Sequence, residues 1–397
     1  YTLNRWSYEN LSGWLFGVNG SDTPWRYNGT GTVSATGFTG SGLTLANLES
    51  VKLIRDRLWF TEKNSADVWY GNKFAVTGSL TKFQLSQIAS GGKCVALGSW
   101  SRDAGDGMDD FTVFIMNTGQ VLIYQGDPAT TFALVGKYNA PAPVEVDATV
   151  KVGGELVILT VNGPIPVSSV MGGFAFNPEA LQAWGKIAPS WQTDWQRYGG
   201  NPGWNAYFFN GLVYFNIPTG LAATRQYVYN TRNAAWTIYT KLPVAQLADL
   251  NGELYFGSYS DSFIYRHATG TDNGAQIVTF ARQAASYPGG VNRAKSFNAF
   301  RPNIDADGPA EYRFALDIDF ADNPLGSSTF HLTGLGSGAS WGDPWGSAWA
   351  SPPTSRRRWQ SSRGYGRAVG PVLSTLSTAD NVHWWSSDII AVPGGQL

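Results

Sequence analysis

The stretch QYVYNTRNAAWTIY (residues 226–239) alternates large apolar side chains with polar ones on both sides of an Asn-rich turn. Tyr227 and Tyr229 precede the turn at 230–233, and Trp236 and Ile238 follow it. A two-residue period on either side of a turn predicts a β-hairpin with one buried face on each strand. The fold must therefore supply a core that accepts large rings at every second position.

Five segments share one local design, a turn followed by a short strand with an apolar centre. They read RDRLWF (55–60), TGQVLIY (118–124), GGELVIL (153–159), NGLVYF (210–215) and NGELYF (251–256). The last two are separated by about one four-stranded propeller blade, roughly 40–45 residues, whereas the other spacings are uneven. The pattern favours a β-propeller with insertions over a β-sandwich. In such a meander blade, the rings of the hairpin at 226–239 are expected to fill the space between blades.

The composition also predicts an all-β fold. The chain of 397 residues contains 17 Trp, 18 Tyr and 21 Phe, and only 14% of its residues are charged, against about 25% in ordinary domains. Rings suit pleated, half-buried surfaces, and 47 Gly and 20 Pro supply turns. We predict propeller blades over residues 1–285. An additional C-terminal β region over 286–397 either closes the propeller or forms a platform.

A helix-containing insertion is predicted at about 171–203. The segment FNPEALQAWGKIA (175–187) offers Asn177 as an N-cap and Pro178 at the first helical position, and it predicts one short helix. The following SWQTDWQRYGGNPGW (190–204) has the composition of a loop with exposed tryptophans. Such a loop is expected to meet another surface.

The charge balance limits the classes of partner. The formal net charge is −1, so no global field draws the chain onto nucleic acid or an anionic membrane. Cys94 is the single cysteine, which excludes an intrachain disulfide. No apolar run approaches the length of about 18 residues needed for a membrane span.

Catalytic and metal-binding patterns are weak. His267, His331 and His383 are scattered outside the spacings of metal or catalytic motifs, and the loop at 102–110 lacks the ligand order of a calcium loop. The sequence contains no phosphate-binding loop of the G-x-x-x-x-G-K-[ST] type. Carboxylates over 305–322 could serve glycoside hydrolysis, but alternation along strands explains them as a solvated face. We predict that the chain is not an enzyme and holds no cofactor or metal.

The basic segment SRRRWQSSRGYGR (355–367) contains five arginines interleaved with rings. It is suited either to phosphate and base contacts or to pairing with carboxylates of the 305–322 face on an adjoining subunit. The second interpretation is favoured because the chain is nearly neutral. Tryptophans four residues apart among Gly and Pro indicate a further interface. The predicted subunit-interface residues are Arg356, Arg357, Arg358, Trp359, Arg363, Arg367, Trp341, Trp345, Trp349, Trp191 and Trp195.

From about residue 50 to the C-terminus, the order of several motifs resembles a known family. The motifs include WSRDAGDGMDDFTVFIMNTGQVLIYQGDPATTFALVGKY, VKVGGELVILTVNGPIPVS, QYVYNTRNAAW, TGTDNGAQI and a final W-x-x-x-D strand closing on PGG. In this order they are similar to the tail nozzle proteins of short-tailed bacteriophages. These proteins are also called tail hub proteins, tubular proteins B or packaged-DNA stabilisation proteins.

The resemblance implies a structural virion protein with a β-propeller. It implies a homohexameric ring below portal and adaptor, which forms the DNA exit channel and helps retain packaged DNA. The implied partners are the tail adaptor and a tail needle, plug or fibre protein, with transient non-specific contact to exiting double-stranded DNA. The implied location is the virion tail, assembled in the host cytoplasm.

The alternative function is a carbohydrate-binding propeller or an adsorption protein of a phage tail. In that interpretation, the Trp-rich segments 191–204 and 341–349 stack on sugars.

Overall fold

The computed structural model describes residues 5–103, 108–172, 185–220, 222–267, 271–306, 310–332, 354–356, 358–378 and 382–394. The chain divides into two compact units, Tyr1–Arg266 and His267–Leu397. The strand Ile277–Arg282 pairs with Val369–Ser377 and so belongs to the second unit. The second unit therefore begins before residue 286, where the sequence analysis placed the boundary.

The described part of the first unit forms six consecutive antiparallel meander sheets and one short parallel pair. Sheet 1 contains β1 (Ser7–Leu11), β2 (Trp14–Val18), β3 (Trp25–Tyr27) and β4 (Ser34–Ala35); β5 (Phe38–Thr39) belongs to the parallel pair with β9 (Gly78–Ser79). Sheet 2 contains β6 (Leu48–Ile54), β7 (Arg57–Glu62), β8 (Val68–Tyr70) and β10 (Thr81–Phe83). Sheet 3 contains β11 (Cys94–Asp103), β12 (Met108–Met116), β13 (Gln120–Asp127) and β14 (Thr131–Asn139).

The remaining three sheets of this unit have the same meander order. Sheet 4 contains β15 (Thr149–Val152), β16 (Glu155–Thr160) and β17 (Gly163–Pro166). Sheet 5 contains β18 (Asn205–Phe209), β19 (Leu212–Pro218), β20 (Thr224–Asn230) and β21 (Ala235–Thr240), and sheet 6 contains β22 (Val244–Leu250), β23 (Glu253–Ser258) and β24 (Ile264–Arg266). Two α-helices, α1 (Val167–Met171) and α2 (Ala188–Tyr198), and two 3-10 turns, Leu45–Asn47 and Leu85–Gln87, complete the described elements.

Tight turns explain why the strands pair in sequence order. Four hairpins have two-residue loops in which both residues adopt positive φ, a geometry that matches the twist of the flanking strands. The loops are Ser12-Gly13, Arg55-Asp56, Asn210-Gly211 and Asn251-Gly252. Each joins the first and second strands of its sheet. The repeated motifs RDRLWF, NGLVYF and NGELYF are therefore second strands of sheets 2, 5 and 6.

The sheets follow one another as the blades of a β-propeller. The first strand of each sheet contacts the first strand of the next: β1 with β6, β6 with β11, β11 with β15, β15 with β18, and β18 with β22. Consecutive meander sheets whose first strands adjoin have the radial order of a propeller. The predicted all-β propeller is confirmed.

Apolar layers fill the spaces between successive sheets in the described residues. Neighbouring residues on one strand serve different layers: Trp59 packs toward sheet 3, and Phe60 packs toward sheet 1. On β19, Phe215 packs toward sheet 4, and Tyr214 packs toward sheet 6. A blade between two neighbours has two dry faces, so its central strands are apolar on both sides.

The hairpin of residues 226–239 forms as predicted. Tyr229 pairs with Trp236, and Tyr227 pairs with Ile238. Tyr227 and Tyr229 are buried between sheets 4 and 5, and Trp236 packs against them. Ile238, by contrast, lies on the edge strand β21 and is exposed.

The insertion differs from its prediction. Residues 188–198 form helix α2, where a loop was predicted, and the helix predicted over 175–187 falls mostly outside the described residues. Trp191 and Trp195 are one helical turn apart and pack with Trp204 against sheets 4 and 5. The prediction of a loop with exposed tryptophans was wrong here, because the rings at positions 191 and 195 recur with the helical period.

The second unit is a two-layer β structure. Sheet 7 has the order β25 (Ile277–Arg282), β32 (Val369–Ser377), β27 (Ala310–Ile318) and β28 (Phe330–Leu332). In sheet 8, β26 (Lys295–Ala306) pairs with β33 (Val382–Pro393) and also with β29 (Thr354–Arg356), β30 (Gln360–Ser361) and β31 (Tyr365–Gly366). The sheets pack through rings, including Phe300 and Phe314 with centroids 4.8 Å apart.

Removing one ring from an interblade layer should destabilise the protein strongly. Trp191 is 0% exposed, so Trp191→Ala is expected to lower the free energy of unfolding by about 3–5 kcal/mol. Trp385→Ala is the matched control, since Trp385 is 69% exposed. Urea unfolding followed by near-ultraviolet circular dichroism measures both. Equal losses in the two variants would contradict the packing described here.

Candidate functional site

A cluster of charged side chains joins the first strands of unit 1. Glu145 lies just before sheet 4 and pairs with Arg5, which also donates to the Val146 carbonyl at 2.6 Å. The other Glu145 oxygen accepts the backbone N–H groups of Gly203 and Trp204, each at 2.9 Å. This carboxylate therefore links the residues that lead into sheets 1, 4 and 5. We refer to Arg5, Lys52, Glu145 and Asp147 as the polar hub.

Asp147 extends the polar hub to sheets 2 and 3. Its carboxylate accepts from Ser7 Oγ at 2.9 Å and Ser50 Oγ at 3.2 Å, and it pairs with Lys52 Nζ at 2.9 Å. Its own N–H donates to the Val95 carbonyl at 2.9 Å. The backbone of Asp147 has a φ of +62°, a strained conformation for a residue with a Cβ. The surrounding contacts hold that conformation in place.

Burial and neighbouring charges shift the pKa values of the polar hub in opposite directions. Burial raises the pKa of Glu145, and the opposing effects of Arg5 and the two backbone donors do not cancel it. Burial lowers the pKa of Lys52, but the attraction of Asp147 and its hydrogen bond outweigh that effect, so the pKa is raised. Burial and the negative charge of Glu145 raise the pKa of Tyr259, which follows β23. The ion pairs and hydrogen bonds of the polar hub link several sheets, so its role is structural. Sequence reasoning missed it because its partners are distant along the chain.

The stability of the protein should depend on the protonation of Glu145. Because the folded-state pKa is raised, the folded protein holds more protons than the unfolded chain above the ordinary glutamate pKa. Stability contributed by this group therefore falls as pH rises toward the folded pKa. The free energy of unfolding of the wild-type chain, minus that of Glu145→Gln, is expected to decrease as pH rises above the ordinary glutamate pKa of about 4.3. Urea unfolding at a series of pH values measures this difference.

Asp127→Asn is the control of opposite sign. The backbone N–H of Ala129, followed by Lys73 and Arg57, lowers the pKa of Asp127. Its contribution to stability is therefore present above the ordinary aspartate pKa and is lost as pH falls below it. A Glu145 difference that stayed constant or rose with pH would contradict the buried environment of this carboxylate.

The predicted subunit-interface residues differ in their burial and in whether the structure describes them. Trp191 is fully buried within unit 1, so its prediction as an interface residue was wrong; Trp195 is partly buried against the same layer. Exposed positions include Arg358, Trp359, Arg363 and Arg367. Arg356 ends β29, but its side chain lies outside the described residues, as do Arg357, Trp341, Trp345 and Trp349. The loop considered for calcium is likewise only partly described.

Carboxylates of the 305–322 stretch are engaged within their own unit. Asp317 is buried and pairs with Arg282 at 2.8 Å. Asp319 accepts the backbone N–H groups of Arg367 and Ala368, each at 2.8 Å, and these bonds lower the pKa of its carboxyl group. The stretch is therefore not simply a solvated face. Pairing of these two carboxylates with arginines of another subunit would compete with the contacts observed here.

Sheet 8 presents a polar outer face with an open groove. Along β26, Phe300 and Ile304 are buried toward sheet 7, and Arg301, Asn303 and Asp305 alternate with them on the opposite side. This is the two-residue period of a strand with one dry face. The outer residues line a groove of about 650 Å³ together with Trp385 and Ser386. We call this the sheet 8 groove.

A β-bulge shapes the sheet 8 groove. Asn303 pairs with Ser386 and Ile304 pairs with Trp384, so Trp385 is an extra residue on β33. A bulge redirects side chains, and here the consecutive residues Trp385 and Ser386 both line the groove. Trp384 instead packs against the core between the two sheets. No local sequence signal predicted this arrangement.

Arg301 is fixed at one end of the groove. Its guanidinium lies over the Trp359 ring, 4.6 Å from the centroid, and its Nε and Nη2 donate to Asp388 Oδ2 at 2.8 and 2.6 Å. The exposed Trp359 of the predicted interface set therefore contacts the groove. A stacked and paired guanidinium has little freedom to reorient toward a new partner.

The described ranges contain neither a metal-binding cluster nor a membrane-spanning helix. No three His, Cys, Asp or Glu residues there converge closely enough to hold a metal ion. Within the same ranges, no helix has both the length and the apolar character required to cross a bilayer.

The chain has remote similarities to solved structures. No protein-family model and no curated protein matches the sequence. BBS1N, solved in complex with ARL6DN, has a TM-score of 0.36 at 10% identity, covering 64% of this chain and 73% of its own. A Bacteroides uniformis protein that bears the name of a 6-phosphogluconolactonase has a TM-score of 0.39 at 10% identity, with coverages of 64% and 78%.

A lectin of Aleuria aurantia, solved as a mutant with α-methyl-L-fucoside, has a TM-score of 0.34 at 9% identity. The match covers 64% of this chain and 87% of the lectin. TM-scores of this size carry no argument about function. The fold assignment rests on strand pairing and on the layers between sheets.

Proposed function

We propose that the chain is a structural subunit of a viral tail nozzle. In this proposal, six copies form a ring below the portal and adaptor, and the ring encloses the channel through which packaged DNA leaves. The ring also supports a needle, plug or fibre protein and acts in the virion tail after assembly in the host cytoplasm. The chain contributes shape and rigidity, without a chemical reaction.

The observation that carries the proposal is an uncovered apolar edge strand in the second unit. Every residue of β25 is exposed, including Val278 at 69% and Phe280 at 59%. β25 is the edge of sheet 7 and pairs only with β32 among the described strands. Exposed apolar edge strands are prone to pair with other chains and are normally covered. A ring of identical subunits would cover such a strand through repeated heterologous contacts.

Two further features support a conduit. Layers of buried rings make each blade a stiff element of a wall, because large side chains bury much apolar area and restrict rearrangement. The chain has a formal net charge of −1, so it does not attract phosphates strongly as a whole. A channel that releases DNA quickly benefits from weak phosphate binding, since each neutralised phosphate adds to affinity.

Purified chain is expected to form rings of six, visible by native mass spectrometry and negative-stain electron microscopy. The double variant Val278→Asp with Phe280→Asp places charges on the apolar strand at every contact and should yield folded monomers. Phe320→Asp is the matched control because Phe320 is exposed in the same unit but outside β25. A wild-type chain that stayed monomeric at every concentration would overturn the proposal. Rings that survived the double variant would exclude β25 as the contact.

A further inference from the structure

We propose that the sheet 8 groove is a binding site for a neutral saccharide. The groove is lined by Arg301, Asn303, Asp305, Trp385 and Ser386 and has a volume of about 650 Å³. Small-molecule sites commonly have volumes of about 300–1,000 Å³. The inference goes beyond the nozzle proposal and does not depend on it.

Trp385 is held as a fixed, open platform. Its indole is 69% exposed, yet Nε1 donates to Asp305 Oδ2 at 2.8 Å. The His383 ring stacks on it, with centroids 5.4 Å apart and an interplanar angle of 23°. The bulge described above directs this residue into the groove. A ring oriented before binding loses little conformational entropy when a ligand covers it.

A saccharide matches this combination of groups. One face of a pyranose ring consists largely of C–H groups and can pack on an indole, while its hydroxyl groups both donate and accept hydrogen bonds. Around Trp385 the groove presents the Asn303 amide, the Asp305 carboxylate and the Ser386 hydroxyl. Asn303 Nδ2 donates to Ser386 Oγ at 2.6 Å, so these polar groups are already ordered. Planar amide and carboxylate groups can each bind adjacent hydroxyls.

The charges in the groove favour a neutral ligand over an anionic one. Arg301 is neutralised by Asp388 through contacts of 2.8 and 2.6 Å. Asp305 adds a negative charge beside Trp385. Among the lining residues that the structure describes, a phosphate or an acidic sugar would meet this carboxylate with no uncompensated cation to balance it. Neutral hexose chains avoid that repulsion, and their hydroxyl groups can accept a hydrogen bond from the Asn303 amide.

The test is an array of neutral oligosaccharides ending in glucose, galactose or mannose, followed by calorimetric titration with the strongest binder. The wild-type chain is expected to bind at least one of them. Trp385→Ala and Asn303→Ala should each weaken binding at least tenfold, and Trp385→Phe should retain part of the affinity. Phe320→Ala is the matched control, as an exposed ring of the same unit outside the groove, and should leave binding unchanged.

Three outcomes would overturn the inference: no neutral binder, preference for sulfated or sialylated chains, or a binder unaffected by Trp385→Ala. The titration is repeated on the double variant Val278→Asp with Phe280→Asp, which is expected to be monomeric. If subunit contacts cover the groove in a ring, this variant leaves the groove accessible to the saccharide. Native mass spectrometry of the same samples separates the two proposals. Rings that bind no saccharide overturn only the groove assignment, and a monomer that binds saccharide overturns only the nozzle.

Discussion

The carboxylates of Glu145 and Asp147 constrain how the sheets of the first unit meet. Between them they contact Arg5 and Ser7 at sheet 1, Lys52 on sheet 2 and the start of sheet 5. Apolar layers are non-directional and would tolerate small rotations of one blade against the next. A largely buried carboxylate is stabilised only by donors at specific positions. The polar hub therefore fixes the relative positions of blades that the apolar layers hold together.

The apolar layers explain the unusual composition. A strand such as β7 buries consecutive residues toward different neighbours, with Trp59 on one side and Phe60 on the other. Strands of this kind have no solvated face on which to place charge. A low charged fraction and a high aromatic fraction thus have the same origin in blade-on-blade packing.

The second unit differs from the first, because its long strand β26 alternates between a buried face toward sheet 7 and a more accessible outer face. That alternation frees the outer side of β26 for function, and the bulge in β33 adds an aromatic ring to it. Its two prominent surfaces have different chemistry. β25 is apolar and suits burial against another protein, whereas the sheet 8 groove combines one open indole with ordered polar groups and suits a small polar ligand.

The amino-acid sequence alone determined the local architecture: the hairpin at 226–239, the second strands of several blades and the all-β propeller. These depend on two-residue periodicity and turn residues, which act between near neighbours. Tertiary structure alone decided that Trp191 is buried on a helix, that Glu145 joins Arg5 to Trp204, and that a bulge exposes Trp385. Each of these depends on groups far apart in the chain, and periodicity carries no information about which distant strands become neighbours.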